Sequence, residues 1–189
     1  MDLEAARRTA WARLTAAQPP AWVLGHCRCV AALADAMCTC AERQGLAVDR
    51  AVVQQGALLH DVGRSVTQDV GHASAGADLL REDGAGAWDP RVVLCVERHT
   101  GAGIDAAEAK ALGLPVKDYT PRTLEERIVA HADNLYSGDR RLTLGQLRAK
   151  YEAKGLPKAW AKIERLHREL CDALDADLEA LAPSPLPPP

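Results

Sequence analysis

The adjacent pair His60-Asp61 closes the apolar run Gly56-Ala57-Leu58-Leu59. An imidazole and a carboxylate at the end of an apolar helix are costly to bury, because an ionised carboxylate leaves water only where a cation or a hydrogen-bond network compensates it. A metal ion supplies that compensation. Four more side chains able to bind one are spread along the chain: His26, His72, His99 and Asp133. The pair alone carries little weight, whereas a set of six carries much more.

Most of these residues lie on apolar helical stripes. His26 shares a stripe with Val23, Val30, Leu33 and Met37, and His60 stacks with Val53 and Gly56. His99 follows Val92, Cys95 and Val96, while Asp133 stacks with Val129 and Ala130. His72 stands at a loop-to-helix boundary. His131 is a control: two residues from Asp133 on a helix, it points about 200° away and reads as a structural or surface histidine. His167, in Glu164-Arg165-Leu166-His167-Arg168-Glu169, reads as solvated. Of six histidines, four pass the filter.

The elements that must position these residues read as helices. Strand signals are almost absent, phenylalanine is missing, and apolar residues recur at three- and four-residue spacing. The pattern predicts helices over 3–18 (ending before Pro19-Pro20), 21–43, from the Asp49 cap into His60-Asp61, 74–82, and 90–98 with Asp89 as cap and Pro90 in the first position. A short helix over 106–111 leads to a loop over 113–122. Thr123 and Glu126 read as a capping box for a helix reaching Ser137-Gly138. Helices over 143–154 and 158–181 follow, and the Pro-rich tail 183–189 reads as extended or disordered.

At 189 residues the chain fits a single domain over 1–182. With 23 basic and 26 acidic residues and a net charge of −3, it carries no electrostatic footprint for nucleic acid or an anionic membrane. No apolar stretch reaches the roughly 20 residues of a membrane span, and the first residues lack the apolar core of a signal peptide. A cytoplasmic location is expected. Cys27 and Cys38 share one helical face, Cys29 and Cys40 another, so the six cysteines read as packing thiols of a reducing compartment.

In the order His26, His60-Asp61, His72, His99, Asp133, the chain resembles the HD-domain superfamily of metal-dependent phosphohydrolases. The local strings that carry the resemblance are Ala57-Leu58-Leu59-His60-Asp61-Val62-Gly63-Arg64, Gly71-His72-Ala73, Arg98-His99-Thr100 and Ala132-Asp133. It covers about residues 22–141 and is nearest to small stand-alone archaeal HD proteins and bacterial HD-type diadenosine tetraphosphate hydrolases. It implies an all-α helical bundle with converging metal ligands. His26, His60, Asp61 and Asp133 match the minimal ligand set. His72 and His99 match the additional histidines of members with a binuclear centre, in which Asp61 bridges the ions. Such nitrogen and oxygen donors suit iron, manganese or zinc, and less readily magnesium.

The implied function is hydrolysis of a phosphate ester or anhydride, with a nucleotide or dinucleoside polyphosphate as small-molecule substrate and neither membrane nor nucleic acid as partner. Asp61 is primarily a ligand, with a general-base role as the weaker reading. Arg64 is the first choice for a phosphate contact, followed by Arg98 and Arg140; for each, solvation or an ion pair is the alternative. Trp88 and Tyr136 are candidates to stack a base or simply to pack, and Tyr119 lies in a loop that could form a lid. Two further readings stay open: an HD-type di-iron oxygenase and a non-catalytic nucleotide sensor.

Overall fold

A computed structural model describes residues 2–188. Among them the chain forms α1 (Leu3–Ala16), α2 (Ala21–Arg43), α3 (Arg50–Leu59), a 3-10 turn (Val62–Ser65), α4 (His72–Glu82), α5 (Pro90–Glu97), α6 (Ala106–Ala111), α7 (Leu124–Asn134), strands β1 (Tyr136–Ser137) and β2 (Arg140–Arg141), α8 (Leu144–Ala153) and α9 (Pro157–Leu174). The fold is all-α apart from this two-stranded antiparallel hairpin, which pairs Tyr136 with Arg141 and Ser137 with Arg140. The sequence reading contained no hairpin.

The helix starts follow local chemistry. Asp2, Asp49, Asp89 and Asp105 each accept backbone N–H groups from the first turn they precede, satisfying donors that have no partner within the helix. Thr143 and Gln146 form a reciprocal capping box. Thr123 forms only half of the expected one. Its hydroxyl accepts from Glu126 N, but the Glu126 carboxylate accepts from Arg122 N and Arg98 Nη1.

α3 lies at the centre, packed against α1, α2, α5 and α7. It makes its closest approach through Gly56, where a Cβ would fall 2.6 Å from Cys95 Cβ. α2 does carry a window long and apolar enough, by composition, to cross a membrane, which the sequence reading did not find. Within the bundle 67% of that window is buried, and Val23, Val30, Leu33 and Met37 belong to the continuous core. All six cysteines are free, and five of them are buried.

α9 stops seven residues before the expected end. Asp175 turns left-handed at φ 45°, reversing the chain so that Leu178 is buried and its carbonyl accepts from Arg141 Nη2 at 2.7 Å. Residues 183–188 form no helix or strand. Leu186 packs against the core, and its backbone exchanges hydrogen bonds with Arg28.

Candidate metal centre

The six sequence-selected residues come together from α2, the α3 end, α4, the α5 end and α7. His26 Nε2 lies 3.1 Å from His60 Nε2 and 2.9 Å from Asp133 Oδ1. His72 Nε2 lies 3.0 Å from His99 Nε2 and 3.2 Å from Asp61 Oδ1. Asp61 faces both sets: Oδ2 is 3.8 Å from His26 Nε2 and 3.7 Å from His60 Nε2, while Oδ1 turns to His72 and His99. Ligands about 2.1 Å from one ion, at angles of roughly 90–110°, stand about 3.0–3.4 Å apart. The spacings found here fall close to that range. His26, His60 and Asp133 form one group able to hold a metal, and His60, Asp61 and His99 another.

The tautomers make the argument sharper. Each ring turns its other nitrogen to a backbone carbonyl: His26 to Gly138 at 2.8 Å, His60 to Ala57 at 2.8 Å, His72 to Asp69 at 2.7 Å and His99 to Val96 at 2.7 Å. Only an N–H can donate to a carbonyl, so in each neutral ring Nδ1 carries the proton and Nε2 presents its lone pair inward. Four lone pairs and two carboxylates then converge in a buried site, an arrangement that a shared cation compensates. This is the arrangement of ligand histidines held by outer carbonyl partners. The hairpin has its role here: the two-residue turn, with Gly138 at φ 60°, presents the carbonyl that orients His26.

Electrostatics agree with the donor reading at the carboxylates and His99. At His60 burial lowers the imidazole, but Cys27, Asp61 and Asp133 outweigh it and raise it well above its ordinary value, so an ion would have to displace that proton. Burial pushes Asp61 up, but the surrounding imidazoles of His60, His72 and His99 overcome it and hold the carboxyl below the usual carboxylate range. Asp133 is likewise held well below that range by His26 and His60 against the cost of burial. Burial, then the neighbouring His60 and His72, lowers His99 to about 3, leaving it neutral with its Nε2 lone pair unprotonated.

The turn after α3 is built by close approach. A Cβ on Gly63 would fall 2.0 Å from His72 O and 2.5 Å from Gly76 N, so only glycine lets the 3-10 turn lie against the start of α4. In 3-10 geometry side chains three apart eclipse, which places Arg64 over Asp61 with Nε donating to Oδ1 at 3.0 Å. Arg64 also donates to Gln68 O at 2.8 Å, and its guanidinium lies 5.9 Å from the centre of the Trp22 ring.

The donors open into a cleft of ≈ 290 Å³ whose walls include Trp22, Arg64, Thr100, Asn134, Lys150 and Lys154, close to the lower end of ordinary small-molecule sites. Asn134 donates to Gly101 O at 2.8 Å, and the Thr100 hydroxyl is buried without a hydrogen-bond partner. Burial lowers the Lys150 amine below its ordinary range, while Asp133 raises it and Lys154 and Arg140 depress it further.

Two of the three arginines selected from sequence stand elsewhere. Arg98 is not among the cleft's lining residues; it is committed to the buried Glu126 at 2.9 Å. Arg140 does not share a helical face with Asp133, because α7 ends at Asn134, and it lies exposed on β2. Of the aromatic candidates, Tyr136 lines the cleft but is mostly buried, with Arg141 5.4 Å from its ring centre. Trp88 donates to Asp83, and the buried Tyr119 donates to Pro115 O. Trp22, Lys150 and Lys154 were not selected from sequence. The lysines follow the ligand pattern, and Trp22 precedes it.

His167 corrects the expectation of a solvated residue. It is buried, with Nδ1 2.9 Å from His131 Nε2 and Nε2 3.3 Å from Cys171 Sγ.

A family model for the HD domain matches residues 23–138. A protein of Methanocaldococcus jannaschii, named only as uncharacterised, is 45% identical over 144 residues, covering 76% of this chain and 83% of that one. The chain belongs to the HD domain family. Two further archaeal relatives, from Picrophilus torridus (54% identical over 131 residues) and Thermoplasma volcanium (49% over 130), are named tRNA (cytidine(56)-2'-O)-methyltransferase. Each match covers 69% of this chain but spans only 38% of the relative's length. The HD domain of the Listeria monocytogenes phosphodiesterase PgpH superposes with a TM-score of 0.51 at 17% identity, covering 87% of this chain and 94% of that one. Its complex with cyclic-di-AMP gives 0.52 at 18%, covering 87% and 92%. At that identity the likeness is one of fold.

Proposed function

We propose that the protein is a metal-dependent phosphohydrolase acting on a phosphate ester or anhydride of a nucleotide. The observation that supports this best is Asp61, which turns its two oxygens to different histidine pairs and so suits a ligand shared between two ions. His26, His60 and Asp133 would hold one ion, His72 and His99 the other, with Asp61 common to both. Bound there, divalent ions would activate water near neutral pH and neutralise charge on a phosphoryl group.

The chain's own residues have separable tasks. The four backbone carbonyls fix the imidazole orientations, so no reorganisation is needed when a substrate arrives. Arg64 holds Asp61 in place through Nε, and its guanidinium on the cleft wall can approach a phosphate oxygen. Asn134, fixed by Gly101 O, offers an amide edge on the same wall.

The methyltransferase name belongs to relatives of which this chain matches 38%. A convergent set of imidazole and carboxylate donors supports hydrolysis for the part they share, and the cyclic dinucleotide bound by the PgpH domain is in keeping with a nucleotide here. The test is metal analysis of protein purified without chelator, together with phosphate release from a nucleotide panel that includes diadenosine tetraphosphate. Release that is lost in Asp61→Ala supports the reading. Protein without metal or phosphate release in any condition overturns it.

A further inference from the structure

Resting on the phosphohydrolase reading, we propose that Lys150 of α8 and Lys154 at its C-terminal cap form a subsite for a second phosphoryl group and that Trp22 is the surface on which the substrate's ring stacks. The scissile phosphate would lie at the histidine–aspartate clusters, making the substrate a nucleotide with at least two phosphates.

The lysines come from outside the residues matched by the HD family model, which end at 138, so the common frame does not supply them. They stand one turn apart at the C-terminal end of α8, Lys154 as its cap in helical conformation, about 5–6 Å between Cβ atoms, and both line the metal-donor cleft. No carboxylate lies within ion-pair distance of either among the described residues. Of the nearby arginines, Arg98 is spent on Glu126 and Arg141 on the carbonyls of Leu135 and Leu178. Arg64 is held by Asp61 and Gln68 O, and Arg140, near enough to depress Lys150, lies exposed outside the cleft lining. Two amines held over a cleft without an ion-pair contact, beside a site suited to phosphate, are placed to receive an anion.

Trp22 supplies the second wall. It keeps 48% of its surface exposed, forgoing about half of the gain from burying an indole. Its ring centre lies 6.1 Å from that of His26, and the Arg64 guanidinium flanks its face. A flat, accessible ring at the mouth of an otherwise polar cleft suits a nucleobase, since stacking of a base on an aromatic side chain is favourable and tolerant of base identity. The ≈ 290 Å³ available suits a small nucleotide.

The probes are glycerol phosphate (one phosphate, no ring), AMP (one phosphate and a ring) and ADP (two phosphates and a ring), each turned over by the metal-loaded full chain. Binding of the methylene analogue of ADP is measured by calorimetry alongside. For the double variant Lys150→Ala/Lys154→Ala, KM for ADP should rise at least about tenfold while glycerol phosphate and AMP change less than about threefold. Arginine at both positions should restore most of the loss. Trp22→Ala should raise KM for AMP and ADP but not for glycerol phosphate, and Trp22→Phe should recover it. Equal effects on all three probes, or an analogue that fails to bind the unmodified chain, overturn the subsite. If phosphate is released equally by every variant, the subsite falls and the hydrolase reading stands. If nothing is hydrolysed but the analogue binds with an affinity that depends on Lys150, Lys154 and Trp22, the hydrolase reading falls and the subsite stands.

Discussion

Two clusters of buried histidine lie in this molecule, and they are built in opposite ways. At the His26, His60, His72 and His99 cluster every Nδ1 is tied to a backbone carbonyl, and the Nε2 atoms face one another and two carboxylates. At the His131–His167 cluster the rings meet through Nε2 and Nδ1, and the hydrogen-bond chain continues to Cys171. Among the described residues no carboxylate hydrogen-bonds to either ring, Glu179 and Asp177 acting on His167 only through space. A proton between the two rings satisfies the facing nitrogens of the second arrangement, as one ring donates and the other accepts, while His131 Nδ1 is buried without a partner. In the first, both facing nitrogens are acceptors. Burial of histidine alone therefore says little about metal binding; the direction in which the outer nitrogen is held says much more.

The comparison can be broken most forcefully at Asp61. Asp61→Ala should abolish binding at the shared position and reduce phosphate release by on the order of 10³-fold, beyond the ~10–100-fold typical of losing an outer partner; metal analysis and initial rates check both. Arg64→Met removes such a partner and should cost activity within that ~10–100-fold range, with metal affinity falling in parallel. Gly63→Ala should destabilise the fold by about 1–3 kcal/mol, because the new methyl meets His72 O and Gly76 N. It should also weaken metal binding by displacing His72, which thermal unfolding with and without added metal resolves.

The second cluster should respond only in stability. His167→Phe leaves His131 Nε2 without its partner and should cost about 1–3 kcal/mol in denaturant unfolding, with metal content and turnover unchanged. Its pH dependence has a definite sign. Burial, then the charges of His167 and Arg141, lowers His131 to about 3. Between the unfolded value of ~6.5 and about 3 the unfolded chain binds the extra proton, so stability falls as pH falls through that window. The slope is about 1.4 kcal/mol per pH unit for this group. In His131→Leu, metal-free unfolding between pH 6 and 4 should lose about one proton of this slope.

The sequence carried the helical architecture and the six donor candidates because apolar spacing and polar intrusions on an apolar face are local properties. What it missed is instructive. His167 sits on the stripe Trp160, Ile163, His167, Leu170, Leu174, all buried. Its charged neighbours suggested solvent, although the three- and four-residue spacing already placed it inward. The end of α9 was lost because Asp175 turns left-handed, an outcome set by where Leu178 and Arg141 must meet. Arg98 adjoins a donor in sequence but projects from the end of α5 to Glu126 on the neighbouring α7. Lys150, Lys154 and Trp22 reach the cleft only through packing, and no local pattern marks them.

The most direct test of the central claim is the metal stoichiometry of three proteins side by side: the unmodified chain, Asp61→Ala and His167→Phe. The account predicts about two divalent ions per chain in the first, a clear loss in the second and no change in the third. Metal absent from the unmodified chain after loading, or retained in full by Asp61→Ala, would contradict it.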